Sequence, residues 1–215
     1  ADRSAGALFD TKWTTASGAE VTRALQPIPE LQVMITPASE ITGAEIERGL
    51  LGLVPLMRVA HVPAGSPNDG TLLPGDVLLR VESIDGPRMS QLRTALASHA
   101  SGTADVVVLR DGEPTRLTAK VDRAGRLGVV IAPALDQPAT TGTINRLATE
   151  NNGDRATAVA ALNLLPRTTV RTVAGTTVVD WVTMRAALLA ATKEAAVQGA
   201  GASVEIEVEA PTPAH

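Results

Sequence analysis

The chain lacks cysteine and tyrosine altogether, and it contains only one phenylalanine and two tryptophans. Without cysteine there is no disulfide framework, no thiolate nucleophile and no cysteine-ligated zinc site. A basic surplus is also missing, because 23 acidic side chains stand against 19 basic ones, for a net charge of −4. Proteins that bind nucleic acids rely on basic surfaces and aromatic stacking. We therefore expect no nucleic-acid partner.

Long apolar runs are absent as well. The longest apolar window covers only residues 50–57 and contains a glycine and a proline, whereas about 18 apolar residues are needed to cross a bilayer. Residues 1–10 do not combine a basic segment with an apolar one, as a secretory signal would. With 44% hydrophobic and 20% charged residues, the composition is typical of a globular protein. The sequence predicts a soluble, mature or excised piece.

An internal repeat is the strongest signal in the sequence. Leu72-Leu73-Pro74 recurs as Leu164-Leu165-Pro166. The same ungapped register matches further positions: Leu78 with Val170, Val81 with Val173, Met89 with Trp181, Leu92-Arg93 with Met184-Arg185, and Ala95-Leu96 with Ala187-Leu188. At a different spacing, residues 51–55 resemble 127–130. The repeat predicts two copies of one module.

Local patterns predict the same order of elements in each copy. In the first, a helix is expected over 89–99, and Asp111-Gly112 between two β-prone runs predicts a hairpin. In the second, a helix is expected over 181–192 with an extension to 197, and residues 203–209 alternate valine or isoleucine with acidic residues, as in a half-buried strand. We therefore expect an α+β, mainly β protein.

The first copy resembles a PDZ domain in its bacterial, circularly permuted form. The motifs that carry the resemblance are Arg48-Gly49-Leu50-Leu51-Gly52-Leu53, Ala64-Gly65-Ser66-Pro67, and Leu73-Pro74-Gly75-Asp76-Val77 with the strand that follows. The resemblance implies two PDZ-like modules, each a small, partly open β-barrel or sandwich capped by short helices. Module 1 is expected over 45–122 and module 2, which is divergent, over 123–210, with a tail at 211–215.

Residues 1–44 are expected to form a leader with one strand, placed at 31–37. Two alternatives stay open besides a loosely ordered leader. The leader is either the end of an upstream module or an edge strand added to module 1.

The resemblance implies a site for peptide C-termini in module 1. Consecutive backbone amides of a loop bind an anion, and an exposed strand edge beside them pairs with an extended chain. The carboxylate loop is expected at Gly49, Leu50, Leu51 and Gly52, the peptide-receiving strand at Leu53, Val54, Leu56 and Arg58, and the groove helix at Met89, Leu92, Arg93 and Leu96. The weaker equivalents in module 2 are Arg126, Leu127, Gly128, Val129, Trp181, Met184 and Leu188. Taken singly, Leu53, Leu92 and Leu96 are better explained as core residues than as parts of the site, because any strand and helix that pack together need such residues.

No catalytic residue, metal site or cofactor is expected on this chain. The three histidines, His61, His99 and His215, do not form a His-Glu-x-x-His motif. Ser66 lies in no nucleophile elbow and has the surroundings of a turn residue.

Tandem PDZ modules with almost no linker resemble the extracytoplasmic insert of site-2 intramembrane zinc metalloproteases of the sigma-E-regulator type. The resemblance implies a non-catalytic region in regulated intramembrane proteolysis and the extracytoplasmic stress response, at the periplasmic face of a bacterial membrane. Its partners would be the parent protease domain and peptide or protein C-termini, including those of a membrane-anchored substrate. It would act by steric gating, by recognition of C-termini, or by both. The alternative is a peptide-tail-binding PDZ pair of a high-temperature-requirement serine protease or a free scaffold protein.

Overall fold

The computed structural model describes residues 9–14, 20–25, 49–144, 146–150, 153–157, 159–160, 162–198 and 203–211. These residues form a mainly β protein of the α+β class, as the sequence predicts. The strands are β1 (Phe9–Thr14), β2 (Glu20–Leu25), β3 (Met57–His61), β4 (Val77–Val81), β5 (Ile84–Asp85), β6 (Thr103–Arg110), β7 (Glu113–Lys120), β8 (Val130–Pro133), β9 (Leu147–Glu150), β10 (Gly153–Ala156), β11 (Thr169–Val173), β12 (Thr176–Thr177) and β13 (Ser203–Glu209), and the helices are α1 (Met89–Ala97) and α2 (Trp181–Gln198).

One sheet has the order β7-β6-β4-β3-β8, with β5 paired to β4. The β6–β7 hairpin turns at Asp111 and Gly112, which both have positive φ, as its Asp-Gly sequence predicts. Helix α1 buries Leu92 and Leu96 against Val106 and Val108 of β6. Apolar residues from β3 to β8, with α1, form the main core of this part, and a second, smaller cluster consists of Leu56, Val77, Leu79, Val107 and Ala134. We call residues 54–134 the inserted unit.

A second sheet has the order β12-β11-β13-β1-β2. On β13 the residues Val204, Ile206 and Val208 are buried, whereas the glutamates between them are exposed, which confirms the predicted alternation. Helix α2 adds Trp181, Met184 and Leu188 to the same core. We call this part the outer unit (the described residues within 9–25, 49–53 and 135–211).

The leader contributes more to the fold than the sequence suggested. Strand β1 runs parallel to β13, and β2 pairs antiparallel with β1. This hairpin extends the sheet of the outer unit and is therefore not an edge strand of module 1. The described part of the leader contains two strands, where a single strand was expected elsewhere in it. The strand expected at 31–37 lies outside the described residues.

The two cores are not consecutive along the chain. Leu50 and Leu53, assigned to module 1, pack in the core that contains Trp181 of α2. Leu127, assigned to module 2, packs in the core that contains Leu92 of α1. The chain thus enters the inserted unit after Leu53 and returns to the outer unit after residue 134. One unit is inserted into the other, where two consecutive modules were expected.

The joint between the units is closely packed. The Gly142 amide donates to the Val54 carbonyl at 2.7 Å, and the Thr143 amide donates to the Gly86 carbonyl at 2.6 Å. A Cβ atom added at Gly86 would lie 2.8 Å from the Gly142 Cα. Glycine is required on both sides because the two backbones touch directly.

Candidate functional site

The predicted carboxylate loop at Gly49–Gly52 is a closed turn. The Leu50 amide donates to the Leu53 carbonyl at 2.7 Å, and the Leu53 amide donates back at 2.9 Å. Between them Leu51 and Gly52 have φ values of 60° and 101°. The Leu50 side chain lies in the core of the outer unit. Because the Leu50 amide is already bonded and the turn belongs to the outer unit, it cannot form an anion site for the groove of α1.

The predicted peptide-receiving strand has no free edge in its described pairing. Arg58 pairs with Val77 of β4 on one side and with Ala132 of β8 on the other. The Leu56 carbonyl accepts a hydrogen bond from the Ala134 amide. Upstream, the Val54 amide donates to the Thr141 hydroxyl, and the Val54 carbonyl accepts from the Gly142 amide. The Leu53 amide and carbonyl are bonded to Leu50 within the turn. An incoming chain could pair with these residues only by displacing β8, residues 134–142 or the turn at Leu53, so this prediction is wrong.

Strand β8 is the edge strand of the inserted sheet. It pairs with β3, and none of the other described strands pairs with it. The Ala134 amide bonds to β3's neighbour Leu56, so Ala132 also faces β3, and the N–H and C=O of Ile131 point to the opposite edge. Pro133 has no N–H to offer at that edge, which is typical of edge strands. The edge that an extended chain could join is therefore that of β8.

Two polar side chains, those of Asp122 and Asn68, form hydrogen bonds with the backbone of the loop that leads into β8. The Asp122 carboxylate accepts from the amides of Arg126 (2.9 Å) and Ala124 (2.8 Å). The bond from the Arg126 amide, followed by that from Ala124, lowers the pKa of Asp122. The buried Asn68 side chain donates to the carbonyls of Leu127 (2.7 Å) and Lys120 (2.8 Å).

These contacts leave the next amides of the loop available. Gly128 has a φ of 67°, a conformation that favours glycine. Its Cα approaches Pro67 so closely that an added Cβ would lie 2.8 Å from the Pro67 Cδ. Within the described part of the chain, the amides of Leu127 and Gly128 have no acceptor. Two consecutive free amides in such a loop are suited to bind an anion.

Helix α1 runs alongside β8 in the opposite direction. A Cβ added at Gly125, before β8, would lie 2.8 Å from the Cα of Ala97, the last residue of α1. Gly86, just before α1, lies against the side chain of Leu56, whose carbonyl bonds to Ala134. The loop is thus at the C-terminal end of the helix, and the end of β8 is at its N-terminal end.

The residues predicted for the groove helix divide into two groups. Leu92 and Leu96 are buried in the core, Met89 is half-buried against it, and Arg93 is exposed. Ile131 and Val129 pack against the same core from β8 and its loop. The side of α1 and the strand that border the predicted groove are therefore apolar, and Arg93 on α1 is exposed.

The residues assigned to module 2 do not form a second site together. Arg126, Leu127, Gly128 and Val129 belong to the loop before β8 in the inserted unit, and Trp181, Met184 and Leu188 are buried in the core of the outer unit. Sequence patterns predicted both loops, but each loop was assigned to the helix that lies in the other unit.

Two further observations concern chemistry that the fold could support. Within the described ranges, no group of three or more histidine, aspartate or glutamate residues could hold a metal ion. In that same part of the chain, none of the helices has the length and apolar character needed to cross a membrane.

Comparison with models of known protein families gives no match, and no curated protein matches the chain. The functional interpretation therefore depends on the chain's own geometry.

Proposed function

We propose that the inserted unit binds the C-terminal segment of a peptide or protein by strand addition to β8. The observation that carries the proposal is the unpaired edge of β8 directly after a loop with two acceptor-free amides, at Leu127 and Gly128. An edge strand supplies backbone hydrogen bonds, and an amide pair supplies a carboxylate site. One extended peptide that ends at the loop uses both.

The direction of the bound peptide follows from the arrangement of the site. A peptide antiparallel to β8 runs parallel to α1, and its last residue reaches the loop beside Ala97. Its backbone bonds to the N–H and C=O of Ile131, and its carboxylate accepts from Leu127 and Gly128. Arg126, whose side chain is 74% exposed beside Asp122, adds a positive charge at this end. The last side chain then lies over the apolar wall of the groove.

The PDZ resemblance supports the same function, with one change in assignment. The Arg126-Leu127-Gly128-Val129 loop serves α1, and the Gly49–Gly52 loop belongs to the outer unit with α2. The proposed biological role remains that of a non-catalytic regulatory region of a membrane-embedded zinc protease at the periplasmic face. The closely packed Gly86–Gly142 joint also favours steric gating, because a filter requires units that keep a constant spacing.

The test is fluorescence anisotropy with a library of labelled peptides that end in a free carboxylate or in an amide. We expect affinities of roughly micromolar Kd, because a short peptide loses conformational entropy on binding. Amidation should weaken binding at least tenfold, because it removes the charge that the loop amides bind.

The strand-addition step has its own variant. Ile131→Pro removes the outward N–H while the bonds of Ala132 and Ala134 to the neighbouring segment stay, and Ile131→Val is the matched control that retains the N–H. The proline variant should lose binding while its circular dichroism spectrum is unchanged, and the valine variant should bind. Equal binding by both variants, or no binding of any tail by the unmodified chain, would refute the proposal.

A further inference from the structure

We propose that an apolar face of the outer unit binds the part of a ligand that lies upstream of its C-terminal residues. We call it the α2 face, and it consists of Val182, Ala186 and Leu189 on α2 and of Val179 just before the helix. The inference rests on the proposed function and adds a second contact surface to it. This surface selects ligands with apolar residues about seven to ten positions from the C-terminus.

The first step is the point at which the free edge of β8 ends. The Ala134 amide bonds toward β3, so the preceding Pro133 faces the open edge, and Leu135 follows in the same alternation. The Leu135 carbonyl accepts a hydrogen bond at 3.2 Å from the amide of Trp181, the first residue of α2. The start of α2 therefore closes the edge that is free at Ile131.

The second step is the path of the bound peptide. Its carboxylate lies at the amides of Leu127 and Gly128, and Leu135 comes seven residues after Gly128. A peptide paired one-to-one with this segment has about its seventh or eighth residue from the C-terminus opposite Leu135. Because the Leu135 carbonyl is already bonded to α2, the ligand upstream of that residue has to leave the strand edge and pass over the start of the helix.

The third step is the surface that the ligand meets there. Val179 and Val182, on either side of Trp181 in the sequence, have exposed fractions of 61% and 43%. Ala186 and Leu189 are also exposed, one and two turns after Val182, and they continue the same side of the helix. Neighbouring apolar residues that are exposed to water favour contact with apolar side chains of a ligand.

The fourth step is the size of the α2 face, which favours an extended segment over a second copy of the chain. From Val182 to Leu189 the face covers two turns of helix, about 10 Å. Its partly exposed side chains offer only a fraction of the roughly 800 Å² that each partner buries in a standard interface. An extended segment of three or four residues covers this length at about 3.3 Å per residue.

The experiment measures three peptides against the full chain by fluorescence anisotropy. A six-residue peptide with a free C-terminus tests the β8 site alone. Two twelve-residue peptides share these six residues and have the same net charge. Their seventh to tenth residues from the C-terminus are leucine and valine in one peptide, and serine and glutamine in the other. We expect the apolar peptide to bind about three- to tenfold more tightly than the polar one, because several apolar side chains are partly removed from water.

Three variants assign this difference to the α2 face. Val182→Asn and Val179→Asn should each reduce the difference between the two long peptides and leave the affinity of the short peptide unchanged. Val197→Asn is the matched control, since Val197 lies on the same helix with an exposed fraction of 85%, about 22 Å from Val182 along the axis. This control should retain the full difference.

Equal binding of the two long peptides, or a difference that persists in both Val179→Asn and Val182→Asn, would overturn the inference while the proposed function stands. A loss of the difference in Val197→Asn as well would also overturn it. So would a dimer in analytical ultracentrifugation that Val182→Asn dissociates without changing any peptide affinity, because the face would then bind a second copy. If none of the three peptides binds, the proposed function fails and this inference fails with it.

Discussion

The buried side chain of Asn68 provides the strongest test of how the loop before β8 is built. Its relative exposure is 0%, and three hydrogen bonds satisfy it: two from Nδ2 to the carbonyls of Lys120 and Leu127, and one from the Lys120 amide to Oδ1. Asn68→Ala removes all three and leaves the buried Leu127 carbonyl and the part-buried backbone groups of Lys120 without these partners. Each bond contributes about 0.5 to 1.5 kcal/mol, so we expect a loss of about 1.5 to 4.5 kcal/mol in the free energy of unfolding.

The loss should be confined to the inserted unit, and two probes can separate the units. Both tryptophans lie in elements of the outer unit, Trp13 in β1 and Trp181 in α2. Urea unfolding followed by tryptophan fluorescence reports that unit, whereas amide hydrogen exchange at Val106 and Val108 reports the core of the inserted one. Protection at these two valines should fall, and peptide binding should weaken because the Leu127 carbonyl is no longer held.

The control is Asn163→Ala, since Asn163 is exposed in the outer unit and its loss should change stability by less than about 0.5 kcal/mol. The reasoning would be refuted if Asn68→Ala lost less than about 1 kcal/mol, or if peptide affinity stayed unchanged while protection fell.

Two further predictions concern charged groups. Because loop amides lower the pKa of Asp122, its contribution to stability is complete above its unfolded pKa and is lost as the pH falls through its lower folded value. The stability of the unmodified chain relative to Asp122→Asn should therefore decline below about pH 4, and a constant difference in urea midpoints from pH 7 to pH 3 would contradict this. At β6, Arg110 forms two hydrogen bonds to the buried Asp76 carboxylate, so Arg110→Met should cost about 3 to 5 kcal/mol in chemical denaturation because it leaves a buried charge unpaired. The matched control Arg171→Met breaks the exposed pair with Glu209 and should cost less than about 1 kcal/mol; similar losses for both variants would contradict the argument.

The secondary structure could be predicted wherever the signal is local. The Asp111-Gly112 hairpin, the alternation of β13 and the two helices follow from turn chemistry and hydrophobic periodicity, which depend on residues close together in sequence. Helix α1 ends at Ala97, slightly earlier than the predicted 99, and α2 extends to Gln198. The roles of Asn68 and Asp76 had no such signal, because their partners at Lys120, Leu127 and Arg110 lie far along the chain.

At the candidate site, local sequence patterns did not predict which loop packs with which helix. Both glycine-containing loops were identified from their sequences, and so were both helices. Each loop was assigned to the helix of the other unit. The apolar residues of Leu50–Leu53 and of Leu127–Val129 are similar, so their composition is compatible with either helix. The choice between them depends on which core each loop enters.

By itself the sequence determined the mainly β class of the protein, the two repeated helices, and the glycine-containing loops from which we propose that a peptide site is made. Only the tertiary structure decided that one unit is inserted into the other, that β1 and β2 extend the outer sheet, and that the free edge belongs to β8. The physical reason is that an edge becomes free or paired through contacts between distant segments. The sequence predicts an accessible strand at residues 53–58, but the segment of β8 and Ala134 pairs with Leu56 and Arg58, and this same contact leaves β8 as the open edge.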